Sequence, residues 1–153
     1  MSDSMPTRPV HEVMTAAPQT VMPDTPVTDL IALLDRYDYN AVPVVDRGGV
    51  LCGIVTKLEV LRMVRPAPDV ELRDSEKLSL TRVGDIMRRG VVTVAPDDPA
   101  MAALDLMVET RLRSLPVAER RGGGPQLVGI VTQGDLLRSL RAEYGAARRA
   151  SVR

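Results

Sequence analysis

Two four-residue stretches hold the side chains best placed for polar chemistry: Thr56-Lys57-Leu58-Glu59 and Thr132-Gln133-Gly134-Asp135. Each sets a carboxylic acid three residues after a threonine. At the start of a helix, a threonine hydroxyl beside free backbone N–H groups suits a phosphate. An acid in the first turn offers two acceptor oxygens, whose separation matches the neighbouring hydroxyls of a ribose. The same spacing has a purely structural use. A threonine N-cap with an acid at N3 is a capping box, in which each side chain takes up the other's unpaired backbone N–H. Thr56 and Glu59 fit that box completely, so spacing alone assigns Glu59 to capping. Thr132 and Asp135 fit it less well because aspartate is short. Gly134 weakens a first turn unless something must approach closely there. The second stretch therefore tilts towards a ligand, and the two are expected to be non-equivalent.

Other chemistry falls away on inspection. His11 is the only histidine and Cys52 the only cysteine, so a zinc site or a histidine-based triad is not expected. Cys52 lies in an apolar run and reads as a core residue. Gly122-Gly123-Gly124 is not followed by Lys-Ser/Thr and reads as a turn, not a phosphate loop. Asp97 and Asp98 read as caps, and Met87, Met101 and Met107 as packing. Tyr39 could touch a base or serve the core. With no bond-breaking constellation in view, the chain reads as a non-enzyme that requires no cofactor.

The 153 residues carry a formal net charge of zero. No basic excess draws the chain to nucleic acid, and the scarcity of aromatic residues argues the same way. No apolar run has the length of a membrane span. No secretory signal is visible and no internal disulfide can form, so the expected compartment is the cytoplasm. Phe and Trp are absent, which leaves Val, Leu, Ile, Met and Ala to build the core.

The elements that must position the two acids come in duplicate. At an offset of 73, Val10 falls on Val83, Met14 on Met87, Thr20-Val21 on Thr93-Val94, Pro23-Asp24 on Pro96-Asp97, and Pro43-Val44 on Pro116-Val117. At an offset of 76, Gly53-Ile54-Val55-Thr56 falls on Gly129-Ile130-Val131-Thr132 and Leu61-Arg62 on Leu137-Arg138. The difference is an insertion around Arg121–Gly124, as expected in a surface turn. Each repeat reads as strand, helix, strand, strand, helix. In the first, Thr20–Met22 is a short strand. Thr25 reads as an N-cap with Pro26 at the first helical position, and Asp98-Pro99 do the same in the second repeat. Val27, Leu30, Ile31 and Leu34 repeat at helical spacing. Ala41–Val45 and Val50–Val55 read as a hairpin closed by Asp46-Arg47-Gly48-Gly49. Thr56 then starts a helix over Lys57 to about Arg65. The resulting divisions are a flexible N-terminus at 1–9, a first repeat at 10–65, a linker at 66–81, a second repeat at 82–141 and a basic C-terminal tail at 142–153. A unit of roughly 60 residues buries too little surface to stand comfortably alone. The two repeats are expected to pack through their sheets about a pseudo-twofold axis in an α/β (α+β) fold.

Asp85-Ile86-Met87, the Pro-x-x-Pro before the first helix of each repeat, Val42-Pro43-Val44-Val45-Asp46 and the Gly-Ile-Val-Thr phrase with its trailing acid together resemble the CBS domain. The resemblance covers about residues 10 to 141, twice over, as in the tandem pairs called Bateman modules. It implies a regulatory module that binds AMP, ADP, ATP or S-adenosylmethionine in clefts between the repeats and signals by a population shift. On the family pattern the phosphate and ribose contacts fall on Thr132 and Asp135, beside Gly134. The base would meet Thr15, Ala17 and Gln19 before the first strand and Tyr39, Asn40 and Ala41 at the start of the next. Arg113 and Ser114 stand where phosphate contacts often lie. Thr56 and Glu59 head a second, weaker cleft that departs from the pattern by one methylene. A homodimer is expected, with a protein partner open, and no partnership with membrane or nucleic acid is expected. The alternative is a ligand-free dimerisation or adaptor module acting through protein contacts alone, with the arginines at 138, 141, 148, 149 and 153 as a contact surface or a solvated helix end.

Overall fold

The computed structural model describes residues 7–64 and 74–151. The first six residues of the expected flexible N-terminus, and residues 66–73 of the expected linker, lie outside the described residues. The elements run α1 (Val10–Val13), β1 (Thr15–Ala16), α2 (Val27–Tyr37), β2 (Ala41–Val45), β3 (Leu51–Thr56), α3 (Lys57–Met63), α4 (Asp74–Leu80), α5 (Val83–Ile86), α6 (Ala100–Thr110), β4 (Ser114–Arg121), β5 (Gly124–Thr132) and α7 (Gln133–Ser151). They form two compact units, one of Gln19–Val91 and one of the residues up to Pro18 with those from Val92 onward.

The compact units do not coincide with the sequence repeats. The segment that opens each repeat belongs to the unit of the other: residues 83–91 lie in the first unit, and residues 7–18 in the second. In the Gln19–Val91 unit, β2 and β3 form an antiparallel hairpin, with Ala41 opposite Thr56 and Val44 opposite Gly53. Val21 adds a single parallel bridge to Val44, so the expected first strand is reduced to one rung. Arg88 completes the sheet on the other edge by pairing with Ile54. In the second unit the order is β1-β5-β4, and Thr15 pairs with Ile130 as Arg88 pairs with Ile54.

The proline-rich punctuation before each long helix serves these borrowed segments. Thr25 and Asp98 are not helix N-caps. Thr25 Oγ1 accepts from Met22 N–H and Asp98 Oδ2 from Ala95 N–H, so each closes the turn behind it. The N-cap positions fall to Pro26 and Pro99, which have no side-chain oxygen to offer. The orphan N–H groups go elsewhere: Val27 donates to Thr81 O and Ala100 to Arg8 O. In return, Val83 and Gly84 donate to carbonyls of Thr25 and Pro23, and Val10 and His11 to those of Asp98 and Pro96. Residues 8 and 9 of the expected flexible N-terminus are thereby held by backbone pairing, Pro9 bridging to Pro99.

The two cores match position for position. Val10, Val94, Ala103, Met107, Leu115, Val117, Val131 and Leu136 fill one. Val83, Val21, Leu30, Leu34, Val42, Val44, Val55 and Val60 fill the other at the same offsets. Volume is redistributed between them: Leu30 of one core is Ala103 in the other, and the larger Leu115 and Leu136 in place of Val42 and Val60 offset most of that loss. Asp46 closes its hairpin by accepting from Gly48 and Val50 N–H. The insertion around Gly122 lengthens the β4–β5 hairpin instead, and both strands run to its tip. α7 continues past residue 141 to Ser151, so the basic tail is helical as far as that residue.

Candidate functional site

The strand registers place each Thr-x-x-acid stretch at a comparable point. Thr56 and Thr132 each end the last strand of their sheet, opposite Ala41 and Ser114 respectively, and the next residue begins a helix. Both acids are buried, and both close capping boxes. Glu59 Oε2 accepts from Thr56 N–H at 2.8 Å and from the Thr56 hydroxyl, while Leu58 N–H donates to Thr56 Oγ1. Asp135 Oδ2 accepts from Thr132 N–H at 2.9 Å, and Asp135 N–H donates to Thr132 Oγ1 at 3.1 Å. The shorter aspartate therefore reaches as well as glutamate does.

The second carboxylate oxygen separates the two sites. Thr15 and Arg88 occupy the same rung beside Ile130 and Ile54. From that rung, Arg88 Nε donates to Glu59 Oε1 at 2.5 Å, an ion pair whose acid is 6 % exposed. Thr15 reaches Asp135 Oδ1 through its hydroxyl at 3.5 Å, the outer limit of a hydrogen bond. Asp135 Oδ1 is also paired with the Arg138 guanidinium one turn along α7. The Asp135 carboxylate is 4 % exposed, whereas Arg138 is 73 % exposed.

Burial pushes the Glu59 carboxyl up, but the Thr56 hydrogen bonds and the Arg88 guanidinium outweigh it and hold Glu59 below its ordinary value of 4.5. A pKa lowered by folding contributes stability that is full above the unfolded value and lost as pH falls through the folded one. Glu59→Gln should cost about 1.5–3 kcal/mol at neutral pH, the range for a hydrogen bond to a charged group. The gap to the native protein should narrow as the pH drops below 4.5. Urea unfolding from pH 7 to 3 checks this; a gap independent of pH would mean that ionisation of Glu59 contributes nothing.

The remaining expected site residues divide between the units. Thr15, Ala17, Arg113, Ser114, Thr132, Gly134 and Asp135 belong to one, and Gln19, Tyr39, Asn40 and Ala41 to the other. Ala41 stands opposite Thr56, so Tyr39 and Asn40 lead into the strand beside Glu59. Tyr39 packs on the core and stacks on Tyr37 with ring centroids 5.4 Å apart. Gly134 does not need to be glycine for steric reasons: an added Cβ would meet Thr132 Oγ1 at 3.5 Å and Arg138 Nη1 at 3.7 Å, which is ordinary contact. Ala17 takes a left-handed φ of 47° as the chain leaves β1. Arg113 is exposed, and its carbonyl accepts from Gln133 N–H at the head of α7. The residues missed from the sequence are Arg88 and Arg138. Alignment at an offset of 73 already sets Arg88 against Thr15, and Arg138 lies at i+3 from Asp135.

A cavity of about 260 Å³ between α2 and α3 is lined by Ile31, Leu34, Asp35, Asp38, Lys57, Val60 and Leu61. Neither Thr56 nor Glu59 borders it. Cys52 donates to Val44 O, and burial pushes its thiol pKa up, as for an unreactive cysteine at the edge of a core. Among the described residues, no cluster of His, Cys, Asp and Glu could hold a metal, and no helix is long and apolar enough to cross a membrane.

Comparison with known proteins places this geometry. The CBS domain model matches residues 10–66 and 83–142. A CBS domain-containing protein of Dictyostelium discoideum is 33% identical over 131 residues, covering 84% of this chain and 88% of its own length. The structure of CBSX2 of Arabidopsis thaliana in complex with AMP is 27% identical, with a TM-score of 0.73 over 89% of this chain and 98% of that one. The CBS domain pair of protein MJ0100, in complex with 5′-methylthioadenosine and S-adenosyl-L-methionine, is 23% identical with a TM-score of 0.72, a likeness of fold. Two repeats, two matches to the same domain and a shared fold over nearly the whole length make this chain a member of the CBS family, with its two domains in tandem.

Proposed function

We propose that the protein is a non-catalytic regulatory module that binds an adenosine-containing ligand at the head of α7 and signals by shifting its conformational population. The observation that carries the reading is the second oxygen of Asp135. It is buried, it lies beside the rung of Thr15, and its partners are a hydroxyl at 3.5 Å and an arginine that is mostly in solvent. A ribose diol can compete for such an oxygen. Glu59 offers no comparable opening, because Thr56 and Arg88 engage both of its oxygens. The AMP complex of CBSX2 supports an adenine nucleotide as the ligand class.

A thermal-shift series with AMP, ADP, ATP and S-adenosylmethionine tests the reading. A ligand at a hundred times its dissociation constant should add about 2.7 kcal/mol of stability. No shift with any of them overturns it. The closed capping box at Asp135 would then stand as a purely structural device, in favour of an adaptor that acts through protein contacts.

A homodimer belongs to the same reading. The two units expose apolar side chains at equivalent helical positions, Leu61 on α3 and Leu137 on α7. Leu58 on α3 and Leu140 and Tyr144 on α7 are exposed as well. A second copy of the chain, related by a twofold axis, would cover such surfaces. Sedimentation velocity should find a dimer at micromolar concentration, and a monomer there would remove this element of the proposal.

A further inference from the structure

We infer that Arg138 makes the α7 site selective for a 5′-phosphorylated adenosine over a neutral or sulfonium-bearing one, by serving first as the counter-ion of Asp135 and then as that of the ligand's phosphate. The inference rests on the reading of this site as an adenosine site. Asp135 Oδ2 is committed to Thr132 N–H, which leaves Oδ1 as the oxygen a ribose hydroxyl can reach. Arg138 holds that oxygen. A diol must therefore displace a guanidinium to bind, and the displaced cation lies on the exposed face of the first turns of α7, with its side chain 73 % in solvent.

For a neutral nucleoside the exchange loses a charge-assisted pair and offers nothing for Arg138 in return. A nucleotide carries its phosphate on the same sugar whose diol takes the carboxylate. The freed guanidinium can then pair bidentately with phosphate oxygens, a geometry it satisfies well. Displacing Arg138 also unmasks the negative charge of Asp135, which would repel a phosphate unless a cation stays close. A sulfonium-bearing adenosine would place like charge beside Arg138. The Glu59 site lacks this device: its partner Arg88 reaches the acid from the sheet rung, in an ion pair on a separate segment of chain.

The test is calorimetric titration of the native protein and of Arg138→Gln with AMP and with adenosine. The native protein should bind AMP at least roughly tenfold more tightly than adenosine, the value of one hydrogen-bonded charge pair. In Arg138→Gln that ratio should fall by about the same factor. The fall should come from weaker AMP binding, with adenosine binding unchanged or tighter because no cation has to leave Asp135. Retained adenosine binding also reports an intact site in the variant. An AMP-to-adenosine ratio unchanged in Arg138→Gln overturns the inference while leaving the adenosine reading standing. Failure of the native protein to bind either compound overturns the inference, and the absence of a thermal shift with ADP, ATP and S-adenosylmethionine as well overturns the adenosine reading with it.

Discussion

Gly129→Val should be the most damaging single substitution near the site, with a loss of roughly 3 kcal/mol, at the upper end of the cost of overpacking. An added Cβ at Gly129 would lie 2.4 Å from Met14 Sδ and 2.9 Å from Thr15 O. The sulfur ends a flexible side chain and can move. The carbonyl belongs to the β1 backbone, which pairs with β5 through Thr15–Ile130 and Ala16–Gly129, so it moves only if β1 lifts. Gly-to-Val also restricts the unfolded chain, a favourable effect of about 0.4–1 kcal/mol that the clash exceeds. Lifting β1 would carry the Thr15 hydroxyl away from Asp135. Gly53→Val should act alike in the other unit, where a Cβ would meet Met87 Sδ at 2.6 Å and Arg88 O at 2.9 Å. Gly122→Val is the control, since nothing lies within 4 Å of that position. Urea unfolding of the three variants checks the expectation. Native stability in Gly129→Val would show that the borrowed segment is not seated on this glycine.

The second large effect is on binding. Asp135→Ala should weaken the nucleotide by roughly ten- to a hundredfold, because a hydrogen bond to a charged group contributes about 1.5–3 kcal/mol and Oδ1 is the oxygen the diol reaches. The same change opens the capping box and should cost about 1 kcal/mol of stability without ligand. The two consequences separate experimentally. Asp135→Asn keeps an acceptor for Thr132 N–H and should recover most of the stability, but it lacks the charge and the second acceptor that the diol uses. Titration of nucleotide into both variants, beside unfolding without ligand, distinguishes them. If Asp135→Asn binds as the native protein does, the carboxylate is a cap and the ligand is held elsewhere.

The local features were legible in the sequence because local physics produces them. The Asp46–Gly49 hairpin, the helix after Thr56 and its capping box involve residues a few positions apart, and the structure reproduces them. The repeat was equally legible, and with it the matching cores, because equivalent positions must bury equivalent side chains. Thr25 and Asp98 depart from the N-cap pattern for a physical reason. A polar residue before Pro and a helix satisfies the N-cap pattern, yet the same oxygen can close the preceding turn, and a carbonyl from a distant segment can take the helix N–H instead.

What the sequence determined by itself was the duplication, the order of elements in each copy and the two acids heading their helices. What only the tertiary structure decided was the company each acid keeps. Thr15 reaches Asp135 across 120 positions of chain and Arg88 reaches Glu59 across 29, both through rungs made by a segment from the other repeat. No local propensity encodes such a pairing. It follows from the glycines at 53 and 129, whose missing side chains leave room for the borrowed backbone to lie against the sheet. From those rungs Arg88 engages the second oxygen of Glu59, whereas the second oxygen of Asp135 meets Thr15 and Arg138 of its own helix.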